Sequence, residues 1–134
     1  MMIKNEKILF LLIRVSAGFI MLLGIAHAAI AVPMGITATA SLSLQDSAPL
    51  TMANIVTAAA VFLSGLLVYC NIQGMKRNTR GAFQISLASF IFMFLVGVGY
   101  RFATPDNPFA YLASLFPVVG IYSLMSFAVM KERM

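Results

Sequence analysis

Apolar residues run on along this chain rather than alternating with polar ones. Four stretches, at about 8–32, 51–72, 82–102 and 109–130, are almost free of charge, and the charged residues crowd the gaps and the ends. A hydrocarbon core about 30 Å thick takes roughly 20 apolar residues per helix. Barrel strands would show apolar/polar alternation over about ten residues, whereas these runs are continuous and longer. In lipid a helix satisfies its own backbone. The pattern predicts an all-α protein, a four-transmembrane-helix antiparallel bundle. It forms a single integral membrane domain over 1–134, with no room for a soluble domain.

The connections are read from turn-forming residues. Pro33 and Gly35 are expected to end the first span, since one lacks a donor and the other tolerates unusual dihedrals. The stretch 34–50 is then the longest connection, carrying Asp46 and no Lys or Arg. Within it, 41–44 alternates Ser and Leu as a short extended piece would. Ser47 ahead of Pro49 resembles a helix start. Gly74 precedes a basic loop of Lys76, Arg77 and Arg80. The run 103–108 is dense in turn formers, with Asn107 as a cap and Pro108 in the first helical position. Pro117 is expected to bend the fourth span.

Charge then orients the bundle. Of nine Lys and Arg, seven lie at the N-terminus (Lys4, Lys7), in the second loop (Lys76, Arg77, Arg80) and at the C-terminus (Lys131, Arg133). Those three places share one side of a four-span protein. The basic-residue bias therefore predicts that both termini are cytoplasmic, and the short loops suit a bacterial inner (plasma) membrane. The net charge of +5 points to the lipid bilayer and its anionic headgroups. It does not point to nucleic acid, because no basic stripe with interleaved aromatics exists. Cys70 is the only cysteine, which excludes an internal disulfide and CxxC chemistry. The first run is longer than a signal-peptide core and is interrupted by Arg14, so the first helix is expected to be retained.

Small and polar residues mark the faces that pack, because lipid-facing and partner-facing sides are both apolar. Span one aligns Ser16, Ile20, Leu23, His27 and Ala31, with Gly24 adjacent. Span two aligns Asn54, Ala58, Val61, Gly65 and Val68. Span three aligns Ala82, Ser86, Ser89, Met93, Gly97 and Tyr100, and its Phe83, Phe90 and Phe94 face lipid or the next helix. Span four aligns Tyr111, Ser114, Val118, Tyr122, Met125 and Val129.

Candidate chemistry is confined to a few side chains. His27, the only histidine, suits a haem iron, a proton relay or a quinone; the plainer reading is an imidazole bonded to a neighbouring carbonyl or to Tyr100. Tyr100 and Arg101 end span three on the sparsely charged side, with Asp106 in the next turn, Asp46 in the first external loop and Asn54 near the same level. Together His27, Asn54, Tyr100, Arg101 and Asp106 are the candidate ligand-binding set, for a carboxylate, a phosphate or a quinone headgroup. The plainer alternative pairs Arg101 with Asp46 or Asp106 to fix the loops. Arg14 lies about 140° around span one from His27 and is expected to snorkel to the headgroups. Lys76, Arg77 and Arg80 are read as topology determinants and headgroup contacts. No carboxylate lies inside a predicted span, which disfavours a proton-coupled small-solute transporter. No metal-ligand cluster, phosphate-binding glycine loop or nucleophile–base–acid set can be assembled.

The segment Leu12-Ile13-Arg14-Val15-Ser16-Ala17-Gly18 with Gly24, the Gly65-Leu66-Leu67 approach to the basic loop, and Gly99-Tyr100-Arg101 before a Pro/Asp/Asn turn resemble DoxX-like and other bacterial four-span small membrane proteins. The chain departs from that pattern at His27, where Lys is frequent. The resemblance implies an accessory role in a respiratory or redox membrane complex. The leading expectation is a non-enzymatic accessory or structural subunit of a larger membrane complex, or a small homo-oligomer. The alternative is a redox or lipid-processing enzyme subunit that binds a quinone, a haem or a lipid headgroup at the outer polar cluster.

Overall fold

The computed structural model describes residues 5–38, 40–103, 106 and 108–132. Among them every regular element is a helix: α1 (Glu6–Ala38), α2 (Leu44–Lys76), α3 (Arg80–Ala103) and α4 (Pro108–Glu132). All four are long and apolar enough to cross a membrane. Their outward faces are apolar, with Leu11, Leu22, Leu63, Leu95 and Leu115 more than half exposed or close to it, as lipid solvation allows.

The first connection is much shorter than the turn-forming residues predict. α1 runs through Pro33 and Gly35 to Ala38. Breaking a helix gives up several backbone bonds, whereas one proline removes a single donor. The Thr37 hydroxyl donates to the Pro33 carbonyl at 3.0 Å. Gly35 makes no turn; a Cβ there would lie 2.6 Å from Asn54 Nδ2. Likewise α2 begins at Leu44, not near Thr51, and its N-cap is Ser43 rather than Ser47. The Ser43 hydroxyl accepts from the Asp46 N–H at 3.3 Å and donates to the Asp46 carboxylate at 2.6 Å. This local network starts the helix early, and it moves Asp46 from a loop into the first turn of α2. Residues 40–42 form a turn, not an extended piece.

The basic connection closes on a Schellman motif. Asn78 takes φ 57°, its N–H reaches the Met75 carbonyl, and the Thr79 N–H reaches the Gly74 carbonyl, both at 2.9 Å. Asn can adopt this left-handed conformation where most side chains resist it. Gly74 stays helical, and its missing side chain admits the Ala82 methyl of α3.

Each helix packs on two neighbours: α1 on α2 and α4, and α3 on α2 and α4. On the α1–α2 seam, Gly24 meets the Phe62 backbone and Gly65 meets the Ala17 carbonyl. On the α3–α4 seam, Gly97 meets the Ala113 carbonyl and the Phe90 ring lies against Gly120. Phe19 stacks on Phe116 with centroids 3.7 Å apart, joining α1 to α4. These close approaches replace hydrophobic driving force with van der Waals contact, which is what holds helices together in lipid.

The small-residue stripes of α1, α2 and α3 face inward: Ser16, Ile20, Gly24, Ala58, Val61, Gly65, Val68, Ala82, Ser86, Ser89, Met93 and Gly97 are buried. Tyr100 is the exception on α3, and the side chain of Ala31 lies outside the described residues. Phe90 is fully buried. The stripe expected on α4 is wrong. Tyr111, Val118, Tyr122 and Met125 are exposed, while Ala110, Pro117, Gly120, Ser123, Leu124, Ser126 and Phe127 are buried. The small residues on the other side let α4 approach its neighbours more closely than the tyrosines would.

The main buried cluster occupies the half of the molecule near the basic residues, from Leu9 to Ile20 on α1 and from Val61 to Met75 on α2. At the other end the helices are unequal. α1 and α2 have 33 residues each, α3 has 24 and α4 has 25. His27 of α1 lies beside Tyr100 of α3. Past that level α1 continues for 11 residues (27 to 38) and α3 for three (100 to 103). The α1–α2 hairpin therefore projects about 12 Å beyond α3 at 1.5 Å per residue.

Candidate functional site

Two separate pairs form at the level where α3 ends. The His27 and Tyr100 rings meet edge-on, with centroids 6.3 Å apart at 76°. His27 Nε2 is buried and has no hydrogen-bond partner. One residue further, the Arg101 guanidinium lies over the Tyr111 ring, 4.5 Å from its centroid. Arg101 is thus seated on an aromatic face of α4, a contact that guanidinium groups favour. The Asp46 carboxylate is engaged with Ser43, and Asp106 is exposed in the α3–α4 turn.

Asn54 does not join this group. It packs at Gly35, eight residues beyond His27 on α1, which is about 12 Å further along the axis. Its expected level assumed that the second span began near Thr51. Tyr111 is the contributor that was missed as a partner of Arg101. A readable signal existed, because an Arg ending one helix and a Tyr in the opening turn of the next meet across a short hairpin. The resulting local chemistry comprises an imidazole nitrogen seeking a partner, a phenol and an oriented cation. Such a set can bind a carbonyl or an anionic headgroup.

The opposite end carries a second constellation. Phe10 of α1 and Phe127 of α4 meet edge-to-face with centroids 4.9 Å apart. Lys76 Nζ lies 5.5 Å from the Phe10 centroid and Lys131 Nζ 5.6 Å from that of Phe127. Arg77 caps α2, Arg80 opens α3, and both are exposed, as are Arg14 and Cys70. Asn107, Lys4 and Arg133 lie outside the described residues.

Buried polar side chains are all serines among the described residues: Ser16, Ser64, Ser86, Ser89, Ser123 and Ser126. The Ser64 and Ser123 hydroxyls donate to the Ala60 and Val119 carbonyls at 2.7 Å. Those of Ser16 and Ser86, both fully buried, have no partner.

Apolar grooves line the projecting half. One, of about 460 Å³, runs between α1 and α2 past Gly24, Ala28, Ala58 and Ala59. Another, of about 510 Å³, lies at the hairpin tip among Ile36, Leu42, Ala48 and Met52. No protein-family model, curated protein or solved structure matches the chain.

Proposed function

We propose that this chain is a small polytopic membrane protein that serves as a non-enzymatic accessory or structural subunit of a larger membrane complex, or as a small homo-oligomer. In this reading it is an antiparallel four-helix bundle in a bacterial inner membrane, with the basic end and both termini cytoplasmic. The observation that carries the proposal is the projecting α1–α2 hairpin. Its tip presents Met34, Ile36, Leu42, Leu50 and Met52, each between 46% and 66% exposed. A hairpin of about 50 Å exceeds a 30 Å hydrocarbon core, so an untilted apolar tip would stand in the interface unless another chain covers it. The resemblance to DoxX-like proteins agrees with a place beside respiratory or redox subunits.

The test is native mass spectrometry of the protein gently extracted from its own membrane. Co-purifying subunits, or a homo-oligomer, are expected, with loss of association when Ile36 and Met52 are replaced by Lys. Turnover of a substrate by the isolated protein, lost in His27→Ala, would overturn the proposal.

The second reading is a redox or lipid-processing subunit that binds a quinone, a haem or a lipid headgroup at His27, Tyr100 and Arg101. The unpartnered His27 Nε2 favours it. Its expected result is a bound chromophore or headgroup that disappears in Arg101→Ala while the helical fold persists. Equal loss of fold and ligand would count against it.

A further inference from the structure

The arrangement of charge at the basic end exceeds what setting topology requires. Lys76 and Lys131 come from different helices, yet each ammonium is placed over one ring of the same edge-to-face pair, Phe10 and Phe127. Both rings are about 95% buried, so the two cations are drawn to the rim of the packed core. Aromatic faces attract these cations but do not neutralise them. Arg77 and Arg80 add two more charges within four residues of Lys76, and Lys7 is exposed on α1. Arg80 opens α3, which has no acidic residue in its first turn, so the positive end of that helix dipole is left uncompensated. Among the described side chains, Glu6 in the first turn of α1 is the one carboxylate at this end. Among the described side chains the excess at this end is therefore cationic.

We propose that this rim binds the phosphate of an anionic phospholipid, held between Lys76 and Lys131 and reached by Arg77 and Arg80. An anion at this rim is attracted by both ammoniums, and aromatic seating limits the freedom the lysines lose on binding. A lipid fits better than free phosphate because the rim runs directly onto apolar surface. Beside Phe10, α1 turns Ile8 and Leu11 outward, where acyl chains can lie. This proposal is independent of the accessory-subunit reading.

The experiment is native mass spectrometry of the full chain in mixed micelles of equal phosphatidylglycerol and phosphatidylcholine. Preferential retention of phosphatidylglycerol is expected. It should fall roughly fivefold in K76Q or K131Q and about 25-fold in the double variant, the scale set by one well-placed lysine at a membrane surface. The charge-preserving K76R/K131R variant should keep part of the preference, and K7Q should keep nearly all of it. Equal retention of the two lipids by the unaltered protein overturns the proposal without any variant, as does a double variant that folds and still prefers phosphatidylglycerol. Displacement of the lipid by inorganic phosphate alone would also overturn it, by identifying a free-anion site.

Discussion

The Phe90 ring occupies the space that Gly120 leaves by having no side chain. Phe90 is fully buried, and a Cβ on Gly120 would collide with three atoms of its ring. The ring is fully buried, so moving it aside disturbs the packing around it. Gly120→Ala is expected to destabilise the bundle by about 1–3 kcal/mol, the usual penalty for overpacking. Thermal unfolding in detergent would show this as a lowered midpoint, with part of the loss recovered when Phe90→Leu is added, because the two positions are coupled. An unchanged midpoint for Gly120→Ala would refute the account.

Gly24 and Gly18 make a matched pair on α1. A Cβ at Gly24 would lie 2.6 Å from the backbone nitrogen of Phe62, while one at Gly18 meets nothing within 4 Å. Gly24→Ala must push α1 away from α2 and is expected to cost about 1–3 kcal/mol. Gly18→Ala is expected to be neutral, or to stabilise by up to about 1 kcal/mol through helix propensity. The same unfolding assay compares them, and equal effects would mean that the seam is not closely packed.

Ser16 and Ser86 bury hydroxyls without partners. An unsatisfied buried polar group costs about 1–3 kcal/mol, and alanine removes it with little change of shape. Ser16→Ala and Ser86→Ala are therefore expected to raise the unfolding midpoint. Ser123→Ala, which deletes a hydroxyl already bonded to the Val119 carbonyl, should change it little. A fall in the midpoint for the first two would contradict this expectation.

The α2–α3 turn depends on one backbone conformation, at Asn78. Its φ of 57° suits Gly and tolerates Asn, but costs roughly 1–2 kcal/mol for other L side chains. Asn78→Gly is expected to preserve stability and Asn78→Val to reduce it by about that amount. Limited proteolysis of the loop gives a second readout, with faster cleavage in the valine variant.

The inward stripes of α1, α2 and α3 were legible because small and hydroxyl residues there recur at helical spacing. The face of α4 is not legible because its two tyrosines and its buried serines, Ser123 and Ser126, lie on different sides, and periodicity alone does not tell which polar group prefers the rim. The candidate site was legible in part. His27 and Tyr100 do meet, and Arg101 does end its helix, but the partner of Arg101 is Tyr111 and Asn54 lies two turns away. Lys131 over Phe127 was readable as an i, i+4 pair on α4, but the meeting of Phe127 with Phe10 carried no signal, because those two lie at opposite ends of the chain.

Four long, nearly uncharged runs determined, from the sequence alone, an all-helical chain with four segments able to cross a membrane. Those properties depend on length and composition, which any arrangement of the helices preserves. Helix ends, packing faces and side-chain pairs were decided by tertiary structure. Proline and glycine mark chain breaks where water can satisfy the freed backbone. A helix that runs on keeps its remaining backbone bonds and its contact with α2, so α1 continues through Pro33 at the loss of one donor and Gly35 becomes the place where α2 comes close.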